Sequence, residues 1–590
     1  MRIRSTLAAL LLTLLPAAAA AQAGGASQAS FDVVLLGGAV MDGTGNPWFY
    51  ADVGIRDGRI AAIGDLRGAD AARTVDARGQ LVLPGFIDIH SHADDGARAS
   101  GGFRDEDARY RAAPNLVAQG VTTVVVNQDG RSPWPIAEQR GLLETNGIGP
   151  NAALLIGHGQ LRRLALGDDY MRPSTPAEVA HMRALARQGM EEGAFGISAG
   201  LEYVPGRWSE TDEVVAVVEE IVPWGGVYIS HERSEGADPM WYWPSQDEPG
   251  PPTLLDAVME TIEIGERTGA TVVASHIKAK GAHYWGTSHA VIGLIERARA
   301  RGVPVYADQY PYATSGSDGS TVLLPRWVFP ERRRGEGPVD LRPALREALA
   351  DSVRARALRM DVAHEIRRRG GAENVVIFDY PDSAWVGRSV ADVAALRGVS
   401  PVEVALLLQM EGFADRPGGA RLRGFSMSEA DVEAYAPQAW MATASDAGIA
   451  LPDDGPVHAR YYGTFPRKLR HYALERGALS LEDAVRSMTS LPAQIMGFTD
   501  RGVLRAGARA DVTVVDLEQL ADRATFFEPH QYPAGIEYVL VNGAFVVDGG
   551  QLTWALPGRV LTPATDGGRR LVREPAPAPA RAGGPAGGPE

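Results

Sequence analysis

Cysteine is absent from all 590 residues of the chain. The protein therefore has no disulfide bond, no thiolate metal ligand and no cysteine nucleophile. No GxxxxGK[ST] phosphate loop occurs either, which removes a main sign of nucleotide binding. Positive charge is scarce, because 58 Lys and Arg stand against 73 Asp and Glu, for a net charge of −15. This balance argues against a nucleic-acid surface, which needs clustered Lys and Arg, and favours a small-molecule substrate.

The N-terminus reads "MRIRSTLAALLLTLLPAAAAAQAGG". Two arginines precede an apolar run that is too short to span a bilayer, and small residues suited to cleavage follow near Ala21 and Ala23. We predict a secretory signal peptide at 1–23 and a mature protein that is periplasmic or secreted, without a membrane partner after cleavage. The lack of cysteine suits an oxidising compartment, where free thiols are a liability.

Hydrophobic residues make up 45% of the chain, which indicates a globular protein with a substantial core. Short β-like runs alternate with Gly-rich turns near both ends, at 31–83 and at 498–560. We predict that these two segments complete one small β-sandwich, with the chain leaving after the first segment and returning in the second. The Pro-, Ala- and Gly-rich segment 570–590 has too little apolar content to fold and is predicted to be a disordered tail.

Between these segments, residues 84–497 alternate apolar runs with helix-like stretches, a pattern typical of βαβ units and a parallel sheet. Nearly every run ends in a polar cluster that contains His, Ser, Asp, Lys or Tyr. In a (β/α)8 barrel, the active site is built at these C-terminal strand ends. We therefore predict an α/β fold with a TIM barrel, interrupted by an Arg-rich inserted subdomain at about 319–434.

Histidines follow several of the apolar runs. His90 and His92 in "PGFIDIHSHADD" are two residues apart, so their side chains project from the same face of a strand. His231 in "VYISHE", His276 in "VVASHIK" and Asp446 in "MATASD" also stand where a run ends. Four imidazoles and a carboxylate at the strand ends of one barrel predict a site for a divalent ion, with Zn²⁺ as the first candidate.

With these residues in place, the chain resembles the N-acyl-D-amino-acid deacylases (D-aminoacylases) of the amidohydrolase superfamily. The resemblance covers roughly 31–553 and rests on nine motifs in order: "PGFIDIHSHADD", "GVTTVVVNQDG", "LLIGHGQLR", "GAFGISAGLEYVPG", "YISHERSEG", "SHIKAKGAHYWG", "DQYPYATSGS", "TASDAG" and "HARYYGTFPR". It implies a barrel with a β-sandwich, zinc at one or two positions, and hydrolysis of the amide that joins an acyl group to a D-amino acid.

By position, the resemblance assigns His90 and His92 to one metal position and His231 and His276 to the other, with Asp446 as the catalytic carboxylate. An acylated amino acid carries a free α-carboxylate, which needs cationic or hydroxyl partners. The candidate substrate-binding residues are Lys278, Arg460, Tyr203, Tyr312 and Ser198. The preferred amino-acid side chain, the acyl group, the number of zinc ions and the oligomeric state are left open.

One position departs from the family pattern. Many members carry a zinc-ligating cysteine at the end of the strand "TTVVVNQDG", and this chain has Asp129 there. A carboxylate is a harder ligand than a thiolate and binds zinc at about 2.0–2.2 Å. We predict that Asp129 takes the ligand role. The loop "AGIALPDDGPVHA" and the aromatic segment "PMWYWPSQDEPGPP" also depart, so the family's side-chain preference is not transferred.

Two other functions remain open at this point. The first is a different carbon–nitrogen hydrolase on the same scaffold, such as a cyclic amidase or a dipeptidase. The second is a periplasmic binding protein that has lost catalysis. The complete histidine set with Asp446 argues against the second, because a protein without catalysis has no chemical reason to keep these residues together.

Overall fold

The computed structural model describes residues 30–95, 101–316, 321–330, 339–566 and 569–573. The predicted signal peptide at 1–23 and the predicted tail from residue 574 onward lie outside the described residues. Within the ranges given above, no helix is both long enough and apolar enough to cross a membrane.

Eight parallel strands form the centre of the molecule. In chain order they are Phe86–Asp88, Val121–Val126, Asn151–Leu154 with Ile156–Gly157, Gly196–Gly200, Val227–His231, Thr271–Ala274, Val305–Gln309 and Met441–Thr443. Each pairs in parallel with its neighbours in this order; the contact between the third and fourth strands runs through Ile156–Gly157. Nearly all their residues are buried, as expected for parallel strands that are covered on both faces.

The first and eighth strands meet just beyond their C-terminal ends and close the barrel. The backbone N–H of Asp446 donates to the His90 carbonyl oxygen, and that of His92 donates to the Ala447 carbonyl oxygen, both at 2.9 Å. Closure brings the segments that follow all eight strands to one rim, where a TIM barrel builds its active site. The predicted barrel fold is confirmed.

Helices follow most of the strands. Outside the insertion they are Ala108–Arg111, Pro114–Val117, Ile136–Asn146, His158–Leu166, Pro176–Glu191, Thr211–Val218, Leu254–Thr268, Ser288–Ala300, Arg460–Arg467, the π-helix Lys468–Glu475, Leu481–Ser487 and Ser490–Met496. Local sequence sets where several begin. Thr175 and Glu178 form a capping box in front of Pro176–Glu191, since each side chain bonds the other residue's backbone N–H.

The segment between the seventh and eighth strands carries the predicted insertion. It contains the antiparallel strands Val375–Asp379 and Arg421–Gly424. Its helices are Arg342–Ala350, Ser352–Arg368, Val390–Arg397, Pro401–Glu411 and Glu429–Tyr435. Leu345, Leu358 and Leu422 belong to an apolar cluster separate from the barrel core. The insertion therefore has a hydrophobic core of its own.

The aromatic segment after His231 is hydrogen-bonded to this insertion. Ser245 Oγ donates to Asp361 Oδ2 at 2.6 Å. At the other end of the segment, the Met240 N–H donates to Glu202 Oε1 at 2.6 Å. The segment thus connects the insertion with the rim of the barrel.

The two β-rich ends of the chain combine in one hydrogen-bonded sheet of nine strands. Its strands are Phe31–Val40, Phe49–Arg56, Arg59–Gly64, Ala71–Asp76, Leu81–Pro84, Val512–Val515, Ile536–Val541, Ala544–Asp548 and Gln551–Leu552. The join is antiparallel, with Val514 opposite Val82. Apolar side chains from both ends of the chain share one buried cluster, so each segment completes the core of the other.

Beyond this sheet the chain turns back to the barrel. The strand Val560–Asp566 pairs in parallel with Asn151–Leu154 and antiparallel with Arg569–Arg573. The start of the segment predicted to be disordered, 570–573, is therefore part of a strand. Composition alone missed it, because its pairing partner lies elsewhere in the chain.

Candidate metal centre and active site

The five residues predicted as metal ligands converge at the rim of the barrel. Their donor atoms form two groups of three that share Asp129. One group adds His90 and His92, and the other adds His231 and His276; within each group the donor atoms lie within 4.8 Å of one another. The arrangement offers two neighbouring positions for a cation.

Asp129 lies between the two histidine pairs. Its Oδ1 is 3.6 Å from both His90 Nε2 and His231 Nδ1 and 3.5 Å from His276 Nε2, while its Oδ2 is 3.7 Å from His92 Nε2. Zinc bonds of about 2.0–2.2 Å place tetrahedral ligand atoms about 3.3–3.6 Å apart. The spacing therefore suits donors around an ion better than direct hydrogen bonds, which are about 2.9 Å long.

The Asp129 Oδ1 atom is buried and forms no hydrogen bond with any of the residues that the structure describes. Leaving a buried carboxylate oxygen without a partner is costly. A cation held between Asp129 and the imidazoles would remove that cost. The residues present therefore fit a divalent ion with histidine and carboxylate ligands.

The charges around Asp129 reinforce this fit. Burial would raise the pKa of its carboxyl group, but the side chains of His231 and His276 outweigh burial and lower that pKa well below its usual value. Burial would likewise lower the pKa of His231, but Glu235, Asp129 and Glu202 raise it to about 10. Carboxylates thus favour a positive charge among these imidazoles, and a bound cation would supply that charge in place of the protons.

Each predicted histidine ligand has a polar partner on its other ring nitrogen. The pairs are His92 Nδ1 with Asp95 Oδ2 at 2.5 Å, His90 Nδ1 with Ser275 Oγ at 2.6 Å, His231 Nε2 with Glu202 Oε2 at 3.1 Å, and His276 Nδ1 with Glu235 Oε1 at 3.2 Å. Such partners fix the tautomer and the ring orientation of metal-binding histidines. Sequence analysis missed all four partners. They stand within the quoted motifs, but only their distance in space assigns each to one histidine.

Asp446 lies at the edge of the ligand cluster. Its Oδ1 is 3.0 Å from His92 Nε2, and its Oδ2 pairs with Arg460 Nη1 at 2.7 Å. Burial would raise the pKa of its carboxyl group, but Arg460 and His92 lower it far below the usual range. The side chain is therefore ionised, which is the state that a general base needs before it accepts a proton.

Lys278 lies beside His276, but its charge is already balanced. Its Nζ is ion-paired with Glu235 and lies 2.8 Å from His276 Nδ1. Lys280 Nζ reaches the same carboxylate at 3.2 Å. Glu235 thus holds Lys278 against the histidines, beside the place where a substrate carboxylate is expected.

Tyr312 points away from the ligand cluster. Its hydroxyl lies 3.5 Å from the Ala459 carbonyl oxygen, and its ring packs against His458 and Phe526. The predicted substrate contact is therefore not placed at the centre. In "YPY" the two tyrosines are equivalent as residue types, and only the path of the backbone decides which of them faces the site.

Tyr310 faces the centre instead. The guanidinium carbon of Arg460 lies 4.7 Å from its ring centre, and Lys278 Nζ lies 5.5 Å from it. The Tyr310 hydroxyl and Arg460 Nε are both buried, and neither has a hydrogen-bond partner within the described ranges. Two buried donors without partners, next to Asp446, are suited to a ligand that carries acceptor oxygens.

Tyr203 and Ser198 have different positions in the site. The Tyr203 ring lies 4.1 Å from the His231 ring, so this tyrosine borders the centre. Ser198 Oγ donates to the Asn127 carbonyl oxygen at 2.6 Å and accepts from the Gly130 N–H at 3.1 Å. "GISAG" matches the GxSxG pattern of serine hydrolases, yet this hydroxyl is fully buried and holds the turn that carries Asp129.

The backbone bends sharply where the key side chains leave the barrel. Asp129, His276 and Asp446 have φ angles of 58°, 36° and 49°, in the left-handed region that residues other than glycine seldom adopt. Each such residue costs on the order of 1–3 kcal/mol, which the surrounding structure has to offset. Gly200 allows this approach, because a Cβ there would lie 2.3 Å from the Asp129 carbonyl oxygen.

A cavity of about 440 Å³ opens beside Asp129. Its walls come from the segments after the first four strands. They include Asp94, Asp95, Arg104, Asn127, Asp129, Arg131, Gln160, Arg163, Val204 and Pro205. A substrate bound at the metal centre can therefore extend past Asp129 into this cavity, which Tyr310 and Arg460 do not line.

Comparison with known proteins agrees with this geometry. The model of the Amidohydrolase family matches residues 73–206 and 344–547. An N-acyl-D-glutamate deacylase of Alcaligenes xylosoxydans xylosoxydans is 35% identical over 559 residues, which cover 90% of this chain and 97% of the relative. A D-aminoacylase of the same organism is 34% identical, again over 90% of this chain and 97% of the relative.

Solved structures of deacylases also align with nearly the whole chain. A crystal structure of D-aminoacylase superposes with a TM-score of 0.67 at 32% identity, covering 90% of this chain and 100% of that chain. The N-acyl-D-glutamate deacylase of Bordetella bronchiseptica, complexed with zinc and a phosphonate inhibitor, superposes with a TM-score of 0.66 at 31% identity, covering 90% and 99%. By its fold, its clustered ligand residues and these alignments, the chain belongs to the N-acyl-D-amino-acid deacylase (D-aminoacylase) family of the amidohydrolase superfamily and is a metal-dependent hydrolase of amide bonds.

Proposed function

We propose that the protein carries out zinc-dependent hydrolysis of N-acyl-D-amino acids, with Asp446 as general base and then general acid. The position of Asp446 carries this proposal: one oxygen is 3.0 Å from His92 at the edge of the ligand cluster, and the other is 2.7 Å from Arg460. Relatives that align over 90% and 91% of the chain are named for N-acyl-D-glutamate and N-acyl-D-aspartate.

The five ligand residues would hold one or two zinc ions, with Asp129 as the ligand common to both positions. Support comes from the Asp129 Oδ1 atom, which lies 3.5–3.6 Å from three imidazole nitrogens without a hydrogen bond to any described residue. Bound zinc supplies an activated water and polarises the scissile carbonyl.

Asp446 has two tasks in this scheme. Its Oδ1 accepts the proton of the attacking water, and the protonated carboxyl then donates that proton to the amine as the C–N bond breaks. Arg460 keeps the other oxygen occupied at 2.7 Å, so that the free oxygen faces the ligand cluster. Groups of this kind contribute about 10²–10⁴-fold to rate.

The α-carboxylate of the substrate would bind to Arg460 Nε and the Tyr310 hydroxyl, the two buried donors that lack partners among the described residues. Tyr203 stays neutral, because burial and the nearby Asp129 and Glu235 carboxylates raise its pKa well above the usual value. It therefore offers a hydroxyl donor beside His231. Lys278 would act through His276 and Glu235, which it already contacts.

A hydrolysis panel tests the proposal. N-acetyl-D- and N-acetyl-L-amino acids, dipeptides and cyclic amides are incubated with the zinc-loaded protein, with Asp446→Asn, and with Asp453→Asn. Asp453 is an exposed carboxylate in the loop after Asp446 and serves as the matched control. We expect turnover of D-compounds by wild type and Asp453→Asn and a loss of about 10²-fold or more in Asp446→Asn.

Other results of the panel decide between the remaining candidates. Turnover confined to cyclic amides or to dipeptides would replace the proposal by one of the other carbon–nitrogen hydrolases. Binding of N-acyl-amino acids without any turnover would favour a binding protein that has lost catalysis. Equal turnover by Asp446→Asn and wild type would remove Asp446 from its role.

We further propose that the mature protein acts in the periplasm or outside the cell. The support is the N-terminal sequence, with two arginines, an apolar run and small residues up to residue 23, and the lack of cysteine. Fractionation of cells that express the full chain should recover a shortened protein outside the cytoplasm. Full-length protein in the cytoplasmic fraction alone would contradict this.

A further inference from the structure

Two exposed arginines, Arg131 and Arg163, line the cavity beside Asp129 without a carboxylate partner among the described residues. Of the residues with a described position, three arginines line this cavity: Arg104, Arg131 and Arg163. Arg104 is paired with Asp94 through Nε–Oδ1 at 3.1 Å. Among the residues that the structure describes, no carboxylate pairs with Arg131 or Arg163. Unpaired guanidinium groups stand out in a chain with 73 acidic and 58 basic residues.

The contacts of these two guanidinium groups are neutral. Arg131 lies over the ring of Tyr203, with its Cζ 5.5 Å from the ring centre. Arg163 lies over the ring of Tyr170 at 5.0 Å, and its Nη2 is 3.4 Å from the Val204 carbonyl oxygen. Stacking of this kind orients a guanidinium, and apart from the Arg163 contact with Val204 the exposed N–H donors remain available to an anion.

The carboxylates that share the cavity wall are occupied elsewhere. Asp94 bonds Arg104, Asp95 bonds His92 Nδ1 at 2.5 Å, and Asp129 lies among the histidines. None of these three carboxylates forms an ion pair with Arg131 or Arg163. The cavity volume of 440 Å³ also lies within the range of about 300–1,000 Å³ that is typical of small-molecule pockets. An acetyl group would fill only a small part of this volume.

The position of the cavity tells which part of the substrate it receives. Arg460 and Tyr310, proposed above as partners of the α-carboxylate, do not line it, whereas Asp129 does. For a substrate whose amide lies at the metal centre, with its amino-acid part toward Arg460, the cavity beside Asp129 offers room for the acyl part. Arg131 and Arg163 therefore meet the acyl group.

We propose that the acyl group of the preferred substrate carries a carboxylate, so that the substrate is the monoamide of a dicarboxylic acid, of the N-succinyl type. Hydrolysis adds water across the amide and releases the dicarboxylate and the free amine. Arg131 and Arg163 bind the distal carboxylate through charge-assisted hydrogen bonds. This inference rests on the proposed function and adds the class of the acyl group to it.

The test compares N-acetyl-, N-butyryl- and N-succinyl-D-glutamate. Butyryl and succinyl groups have the same number of carbon atoms and differ by a methyl in place of a carboxylate. Kinetics are measured for wild type, Arg131→Met, Arg163→Met and Arg356→Met; Arg356 is an exposed arginine of the insertion and serves as the control.

We expect wild type and Arg356→Met to prefer the succinyl over the butyryl compound by at least about tenfold in kcat/KM, the equivalent of one charge-assisted contact. Arg131→Met and Arg163→Met should each reduce that ratio, mainly through KM. The preference should also shrink between 0.05 and 0.5 M salt, because exposed charges are screened. A ratio near one in wild type, or a ratio unchanged in both arginine variants, overturns the inference.

A binding measurement separates this inference from the proposed function. Isothermal titration calorimetry with Asp446→Asn measures the affinity for the succinyl and butyryl compounds without turnover. If Asp446→Asn binds the succinyl compound more tightly, and if adding Arg131→Met to it removes this difference, the acyl site is supported even when the hydrolysis panel shows no activity. Turnover of N-acetyl-D-glutamate with equal affinity for both larger compounds keeps the proposed function and refutes the acyl site.

Discussion

Replacing Asp129 by alanine tests the metal centre at the residue that both ligand groups share. The change removes the carboxylate whose Oδ1 lies 3.5–3.6 Å from three imidazole nitrogens. Loss of a partner that only orients a ligand costs about 10–100-fold in metal affinity. Loss of a charged ligand should cost at least about 100-fold, which is about 2.8 kcal/mol.

Zinc content measured against free-zinc buffers gives this quantity directly. Wild type and the variant are dialysed at a series of fixed free zinc concentrations, and bound zinc per protein is measured by mass spectrometry. Far-ultraviolet circular dichroism checks that the variant is folded. We expect the binding curve of Asp129→Ala to move to at least about 100-fold higher zinc, with hydrolysis following occupancy. Asp453→Ala, at an exposed position, should bind zinc like wild type.

Asp129→Cys refines the test. A thiolate binds zinc at about 2.3 Å and is the ligand that the family resemblance implies at this position. We expect this variant to bind zinc far better than Asp129→Ala, since it restores an anionic ligand. If Asp129→Ala keeps wild-type zinc content and activity, Asp129 is not a ligand, and the assignment of two positions that share it is refuted.

Three further outcomes follow from the geometry. Asp446→Asn should lower kcat by about 10²–10⁴-fold at unchanged zinc content; a parallel loss of zinc would make Asp446 a ligand instead. Glu202→Gln should weaken zinc binding by about 10–100-fold, because His231 Nε2 loses a charged partner at 3.1 Å; unchanged zinc titration would contradict this. Burial lowers the pKa of Lys468 to about 7. The folded state therefore binds fewer protons than the unfolded state between about pH 7 and 10.4, and stability should rise with pH across that window. Lys468→Met should raise the free energy of unfolding at pH 7 by up to about 4 kcal/mol and remove its increase with pH. Calorimetric melting at several pH values measures both effects. A variant that melts at a lower temperature than wild type at pH 7 would refute the cost of this buried charge.

The barrel could be predicted from sequence because its signals are local. Buried parallel strands are continuous apolar runs, as in Val121–Val126, and the polar residues that follow them mark the catalytic rim. The HxH pair and the strand-end positions of His231 and His276 follow from the same rule. The strand Arg569–Arg573 could not be read in this way, because it pairs with Val560–Asp566, which in turn pairs with a strand some 400 residues away.

The sequence by itself determined the residue types of the site and the end of the barrel at which they lie, because side-chain chemistry and strand alternation depend only on near neighbours. Only the tertiary structure decided which of them meet. It faces Tyr310 rather than Tyr312 toward Arg460, and it places Glu235 against Lys278. Asp129 shows the reason: its role depends on imidazoles that lie 3.5–3.7 Å away in space but stand at or just after the ends of three other strands of the barrel.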